Sequence, residues 1–128
     1  WTLLLAMPSA LNALITPELI WGSNNWHIFE YYFIHGILIL VPFYLMFVMK
    51  YKLRILSWWK TFLRAQIAFV IVFLLNLMLD TNYMFLSSKP LVNNPLIIGD
   101  WPFYILFVQL IGFLHIVVIY KLSPKYIK

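Results

Sequence analysis

Four hydrogen-bonding side chains stand almost alone in otherwise apolar stretches of this chain: Asn12, His35, Asn76 and Gln109. Burying such groups without partners is costly, so their depth carries information. His35 lies about eight residues, or ~12 Å at ~1.5 Å per helical residue, below Trp26–His27. Asn76 lies about seven residues below Tyr83 and Gln109 about eight below Trp101, ~10–12 Å in both cases. Asn12 is about five to six residues below Pro17–Glu18, ~8–9 Å. Four segments thus deliver one polar side chain each to a common level. Asp80 stands one turn above Asn76 on the same helical face, while Thr16, Glu30, Asn82, Tyr83 and Trp101 lie nearer the mouth. A carboxylate near an imidazole orients the ring and stabilises its charged form, as acid–base chemistry requires. His35 and Asp80 are therefore the candidate catalytic pair. Asn12, Glu30, Asn76, Asn82, Tyr83, Trp101 and Gln109 are the candidate substrate-binding residues.

The plain alternative for each residue taken singly is interhelical hydrogen-bond glue, worth under ~2 kcal/mol. Other constellations are weaker. His27 and Glu30 are spaced i,i+3 at a wet helix start without further clustered ligands, so no metal is expected there. His115 lies deep in the opposite half and reads as packing; Thr16 and Thr81 lack an activating base. Gly36, beside His35, is placed to allow close helix approach. The chain has no Walker-type loop, no G-x-S-x-G elbow and no CxxC. It has no Cys at all, which removes disulfides and a cysteine nucleophile within these residues. No cofactor is implied.

The elements that must carry these side chains follow from composition. Of 128 residues, 64% are hydrophobic and only 10% charged. A soluble domain this small could not hide so much apolar surface, and a disordered chain would be poor in aromatics. The fold class expected is all-α, a polytopic transmembrane bundle, because only helices or closed barrels satisfy the backbone in lipid and continuous apolar runs select helices. A single domain is expected, with a partial helix over 1–17 and full spans over 28–49, 61–82 and 101–121. Pro42 is expected to kink the second of these helices. The start at Trp1, inside an apolar run and without a basic leader, suggests the C-terminal part of a longer protein.

Charge orients the bundle. Of nine basic residues, Lys50, Lys52, Arg54, Lys60 and Arg64 cluster around one connection, Lys121, Lys125 and Lys128 follow the last helix, and only Lys89 lies at the other end. The positive-inside rule then places the 50–60 connection and the C-terminus in the cytoplasm of a multi-pass protein of the cell membrane. The formal charge of +5 is thus a topology signal, and nucleic acid is not an expected partner. Trp21, Trp26, Tyr83 and Trp101 mark the outer boundary, and Tyr51, Trp58, Trp59, Tyr120 and Tyr126 the inner one. The 81–100 connection, punctuated by Pro90, Pro95 and Gly99, is long enough to be functional.

Several stretches carry a family likeness: Ala13-Leu14-Ile15-Thr16-Pro17-Glu18-Leu19, the run from Phe29 to His35-Gly36, Asn82-Tyr83-Met84-Phe85-Leu86 with Lys89-Pro90, and Gly99-Asp100-Trp101-Pro102-Phe103-Tyr104. In that order they resemble the YwaF-like small integral membrane proteins of bacteria. The last segment departs from the family pattern at Asp100 and Phe103, where the family has Pro and Trp. The resemblance covers the C-terminal portion of such proteins. They are similar in turn to a vertebrate transmembrane branch assigned acyl transfer between phospholipids through a Cys and a His. The resemblance implies that His35 is that histidine and that the Cys-bearing segment falls upstream of Trp1.

The function expected is an outward-opening polar intramembrane site, with lipid acyl transfer in the full-length protein and membrane lipids as partners. A transporter or channel subunit would use the same layer as a passage station, but Ile37–Val41 and Ala68–Phe73 leave the lower half dry. A non-catalytic scaffold would bind a protein partner through the 81–100 loop.

Overall fold

The structure is a computed structural model that describes residues 1–19 and 24–125; Trp21, Tyr126 and Lys128 lie outside the described residues. Every extended element among the described residues is helical. A π-helical turn (Thr2–Ala6) runs into α1 (Met7–Ile15), followed by α2 (Asn25–Phe47), α3 (Ser57–Leu79), a 3-10 turn (Tyr83–Phe85) and α4 (Phe103–Leu122).

Local chemistry sets these boundaries. Pro8 has no N–H to return to the carbonyl of Leu4. Just ahead of it, the Met7 N–H reaches the carbonyl of Thr2, five residues back. α2 starts at Asn25 because the Asn24 side chain caps the Trp26 N–H at 3.1 Å, and it continues through the buried Pro42. α3 stops at Leu79, short of the expected 82. Asp80 takes a left-handed conformation (φ 51, ψ 48) and turns the chain out of the helix. Lys121 lies in the last turn of α4, where a cation complements the helix dipole.

The N-terminal segment, expected as a partial helix, is the hub of the bundle. Leu3, Leu4, Met7 and Ala10 are buried, and the segment packs on α2, α3 and α4, while α3 packs directly on α4. Outward faces remain apolar: only 6%, 6% and 11% of the most apolar windows of α2, α3 and α4 are buried within the chain. Faces of that composition are matched to hydrocarbon, and each helix has the length to cross it. The chain is a multi-pass membrane protein.

Both basic groups gather at one end. The Leu53 N–H donates to the carbonyl of Pro124 at 3.0 Å, the Leu56 N–H donates to the Tyr120 hydroxyl at 3.3 Å, and Lys125 Nζ sits 4.9 Å from the centre of the Tyr120 ring. Between α3 and α4, Trp58 and Phe62 pack edgewise on Phe113. One turn further from the basic end, Gln66 Nε2 donates to Gln109 Oε1 at 2.8 Å.

Candidate functional site

A cavity of about 450 Å³ opens at the end of the bundle opposite the basic groups, within the ~300–1,000 Å³ range of small-ligand pockets. Helical periodicity assembles its walls. Ser9, Asn12, Ala13 and Thr16 form one face of α1 and its C-cap, Tyr31 and His35 lie one turn apart on α2, and Val108, Ile111 and Gly112 share a face of α4. Met84 and Phe85, together with Pro90, Val92, Asn94, Leu96 and Ile97, bring the 81–100 connection over it as a roof.

His35 is half-buried in the α2 wall. Its Nδ1 lies 2.7 Å from the carbonyl oxygen of Tyr31. A carbonyl only accepts, so Nδ1 carries the proton, and in the neutral ring Nε2 keeps its lone pair. The Tyr31 ring packs tilted against the imidazole with centroids 4.2 Å apart, and its hydroxyl donates to the carbonyl of Ala13 at 2.7 Å, tying α2 to α1. This arrangement can take a proton at Nε2 from a group held in the cavity.

The roof is pinned at two points, at the C-cap of α1 and just beyond it. Asn94 Nδ2 donates to Thr16 Oγ1 at 2.9 Å, and the Thr16 hydroxyl donates to the Asn12 carbonyl at 3.1 Å. Leu91 N–H donates to Glu18 Oε1 at 2.9 Å. The other carboxylate oxygen, Glu18 Oε2, is buried and has no hydrogen-bond partner among the described residues.

The nine sequence-derived candidates separate into two groups. Asn12, on α1, and His35, on α2, both line the cavity. The other seven lie outside it. Asn76 is 2% exposed and folds the turn after α3: it accepts from Thr81 Oγ1 (3.0 Å) and Tyr83 N–H (2.9 Å) and donates to the Tyr83 carbonyl (2.9 Å). Asn82 does the same for Ser87 and Ser88. Gln109 faces α3 and its partner Gln66. Trp101 donates its indole N–H to the carbonyl of the buried Leu86 at 3.0 Å, beside the Tyr104 hydroxyl bonded to the Phe85 carbonyl. Tyr83 is exposed, and Asp80 is an exposed helix terminator away from His35's cavity. Glu30 is exposed beside His27 at 3.9 Å. No group of three His, Cys, Asp or Glu residues that could hold a metal occurs among the described residues. Gly36 serves no close approach, because a Cβ there would meet nothing within 4 Å.

The residues that sequence reasoning passed over are Glu18, Tyr31, Ser9, Asn94 and Gln66. For Tyr31 the signal was spacing: it stands four residues from His35, on the same helical face. Glu18 had none of that kind, because its partner at Leu91 is 73 residues away.

The sequence pattern that defines the TMEM164 family matches residues 1–120. No curated protein and no solved structure matches the chain.

Proposed function

The chain belongs to the TMEM164 family, and on that premise we propose that the cavity is a lipid site at which the full-length protein transfers an acyl group, with His35 as general base. The observation that carries this reading is the His35 geometry. An imidazole with Nδ1 committed to a backbone carbonyl stands in the wall of a ligand-sized cavity reached from apolar surroundings. The finer resemblance to YwaF-like proteins and their vertebrate acyl-transferring relatives supports it through the Phe29–Gly36 run, which contains this histidine.

In this reading His35 Nε2 accepts the proton of the attacking group while Tyr31 holds the ring. Asn12 presents its amide to the acyl carbonyl. These residues contain no Cys, so the thiol that the resemblance implies would come from the rest of the full-length protein. Asp80, Asn76, Asn82 and Gln109 act on the frame and not on the substrate, Trp101 and Tyr83 steady the roof, and Glu30 stays at the water boundary. The basic end, with the 50–60 connection and the C-terminus, faces the cytoplasm, and the cavity opens toward the outer leaflet of the cell membrane.

The test is His35→Ala in the full-length protein reconstituted in vesicles, with acyl exchange followed on isotope-labelled phospholipids. A loss of ~10²–10⁴-fold is expected for a general base, while His115→Ala, deeper in α4, retains activity. Undiminished exchange by His35→Ala removes the catalytic role.

A further inference from the structure

We propose that the basic end of the bundle binds the anionic headgroups of phospholipids, on a surface assembled where the 50–56 connection meets the end of α4. The inference is independent of the reaction at the opposite end.

The sequence carries these cations in two separate groups, and the fold joins them. The Leu53 N–H donates to the Pro124 carbonyl at 3.0 Å, and the Leu56 N–H donates to the Tyr120 hydroxyl at 3.3 Å. Lys125 pairs with Leu53 in an isolated parallel bridge. Its ammonium is committed to this clasp, donating to the Lys121 carbonyl at 3.0 Å beside the Tyr120 ring. Lys50, Lys52, Arg54, Lys60 and Lys121 are left exposed around it.

No carboxylate side chain compensates them. The chain has four acids, Glu18, Glu30, Asp80 and Asp100, and all lie at the opposite end. Glu18 accepts from the roof, Glu30 stands 3.9 Å from His27, Asp80 terminates α3, and Asp100 accepts from Lys89 at 3.0 Å. α3 begins at the basic end with no acid in its first turn, so the positive end of its dipole adds charge of the same sign. The positive-inside rule asks only that cations stay on one side of a membrane. It does not ask that two groups of them be folded against each other. Gathering them costs repulsion, which an arriving anion relieves.

The side chains between the cations choose the source of that anion. Tyr51, Ile55, Leu56 and Trp59 are exposed and interleave in the chain with Lys50, Lys52, Arg54 and Lys60. A free phosphate gives those apolar groups nothing to bury against. A leaflet boundary takes the rings and aliphatic chains on its apolar side and presents its phosphates to the ammonium and guanidinium groups.

The experiment measures lipid adducts on the full-length protein by native mass spectrometry from a neutral detergent. The probes are phosphatidylglycerol, with one net negative charge, and phosphatidylcholine, with none, both carrying the same acyl chains. A cation near a lipid surface is worth about fivefold in affinity. A headgroup held between two of them should therefore bind at least about tenfold more tightly as phosphatidylglycerol. Combining Lys52→Gln, Arg54→Gln and Lys121→Gln should bring the two lipids within about threefold of each other. Lys89→Gln, at the other end, should leave the preference unchanged. Raising the salt from about 0.1 M to about 1 M should shrink the preference while phosphatidylcholine binding stays constant.

Equal affinity of wild type for the two lipids overturns the proposal, as does a preference that survives the triple variant or disappears in Lys89→Gln. Displacement of phosphatidylglycerol by equimolar glycerophosphoglycerol, the same headgroup without chains, overturns the assignment to lipid. So does displacement by an equimolar acidic peptide, which would make the surface a protein-docking one. The wild-type ratio and its salt dependence decide the matter even where the triple variant does not accumulate.

Discussion

Gly112 offers the cleanest way to separate occupancy of the cavity from integrity of the bundle. It lies in α4 on the cavity wall, and a Cβ built there meets nothing within 4 Å. Gly112→Ala should therefore be accepted sterically, and replacing glycine inside a helix is worth up to ~1 kcal/mol in favour of the fold. Gly112→Leu extends a branched side chain into the same empty space and takes it from the ligand. Lipid tails are as apolar as the cavity, so burial gains nothing for a ligand that arrives from the bilayer. A water-soluble probe, monohexanoylglycerol, makes water the reference state. Excluding about three of its methylenes at ~0.8 kcal/mol each then costs ~2.4 kcal/mol, or ~60-fold in affinity. The assay is competition by monohexanoylglycerol against a photolabelled monoacylglycerol, with thermal unfolding of the same samples as the stability readout. The reasoning fails if Gly112→Leu binds the probe as wild type does, or if Gly112→Ala already lowers the unfolding temperature by several degrees.

Gln66 and Gln109 form an isolated pair between α3 and α4. Changing either to Leu strands its partner and should cost ~1–2 kcal/mol, whereas the double Leu variant should recover most of that in a double-mutant cycle of reversible unfolding in bicelles. Asp80 adopts a positive φ at the end of α3. Asp80→Gly should raise the unfolding temperature by relieving that conformation and should leave acyl exchange unchanged, since the side chain is exposed and outside the cavity; a loss of exchange would restore Asp80 to the site.

The spans were legible because continuous apolar runs of about 20 residues leave a helix few alternatives in lipid. Depth was legible in part: Asn12 and His35, placed at one level by counting residues, both line the cavity. Azimuth was not. Gln109 follows Val108 by one residue, a turn of about 100° at 3.6 residues per turn, which is enough to put Val108 in the cavity and Gln109 against α3. Asn76 fails differently: Gln109 pairs with Gln66, ~15 Å down α3 from Asn76, so the two do not share a level, and the bonds of Asn76 run to the turn that follows its own helix. The N-terminal segment reads as a partial helix from its sequence, and its packing role was not visible there: Leu3, Leu4, Met7 and Ala10 are buried in the bundle. Glu18 served only as a depth marker and as part of a family-like stretch. Its role depends on where the Pro90–Ile97 roof lands, and a long connection with turn residues does not disclose that in advance.

The most direct test of the account places a diazirine at the end of a phospholipid acyl chain, reconstitutes the full-length protein in vesicles made with that lipid, and maps the adducts by mass spectrometry. A lipid site in this cavity predicts adducts concentrated on Asn12, His35, Val108 and Gly112, displaced by excess monohexanoylglycerol. Adducts confined to the outward faces, at residues such as Ile67, Leu74 and Leu114, with none displaced, would contradict it.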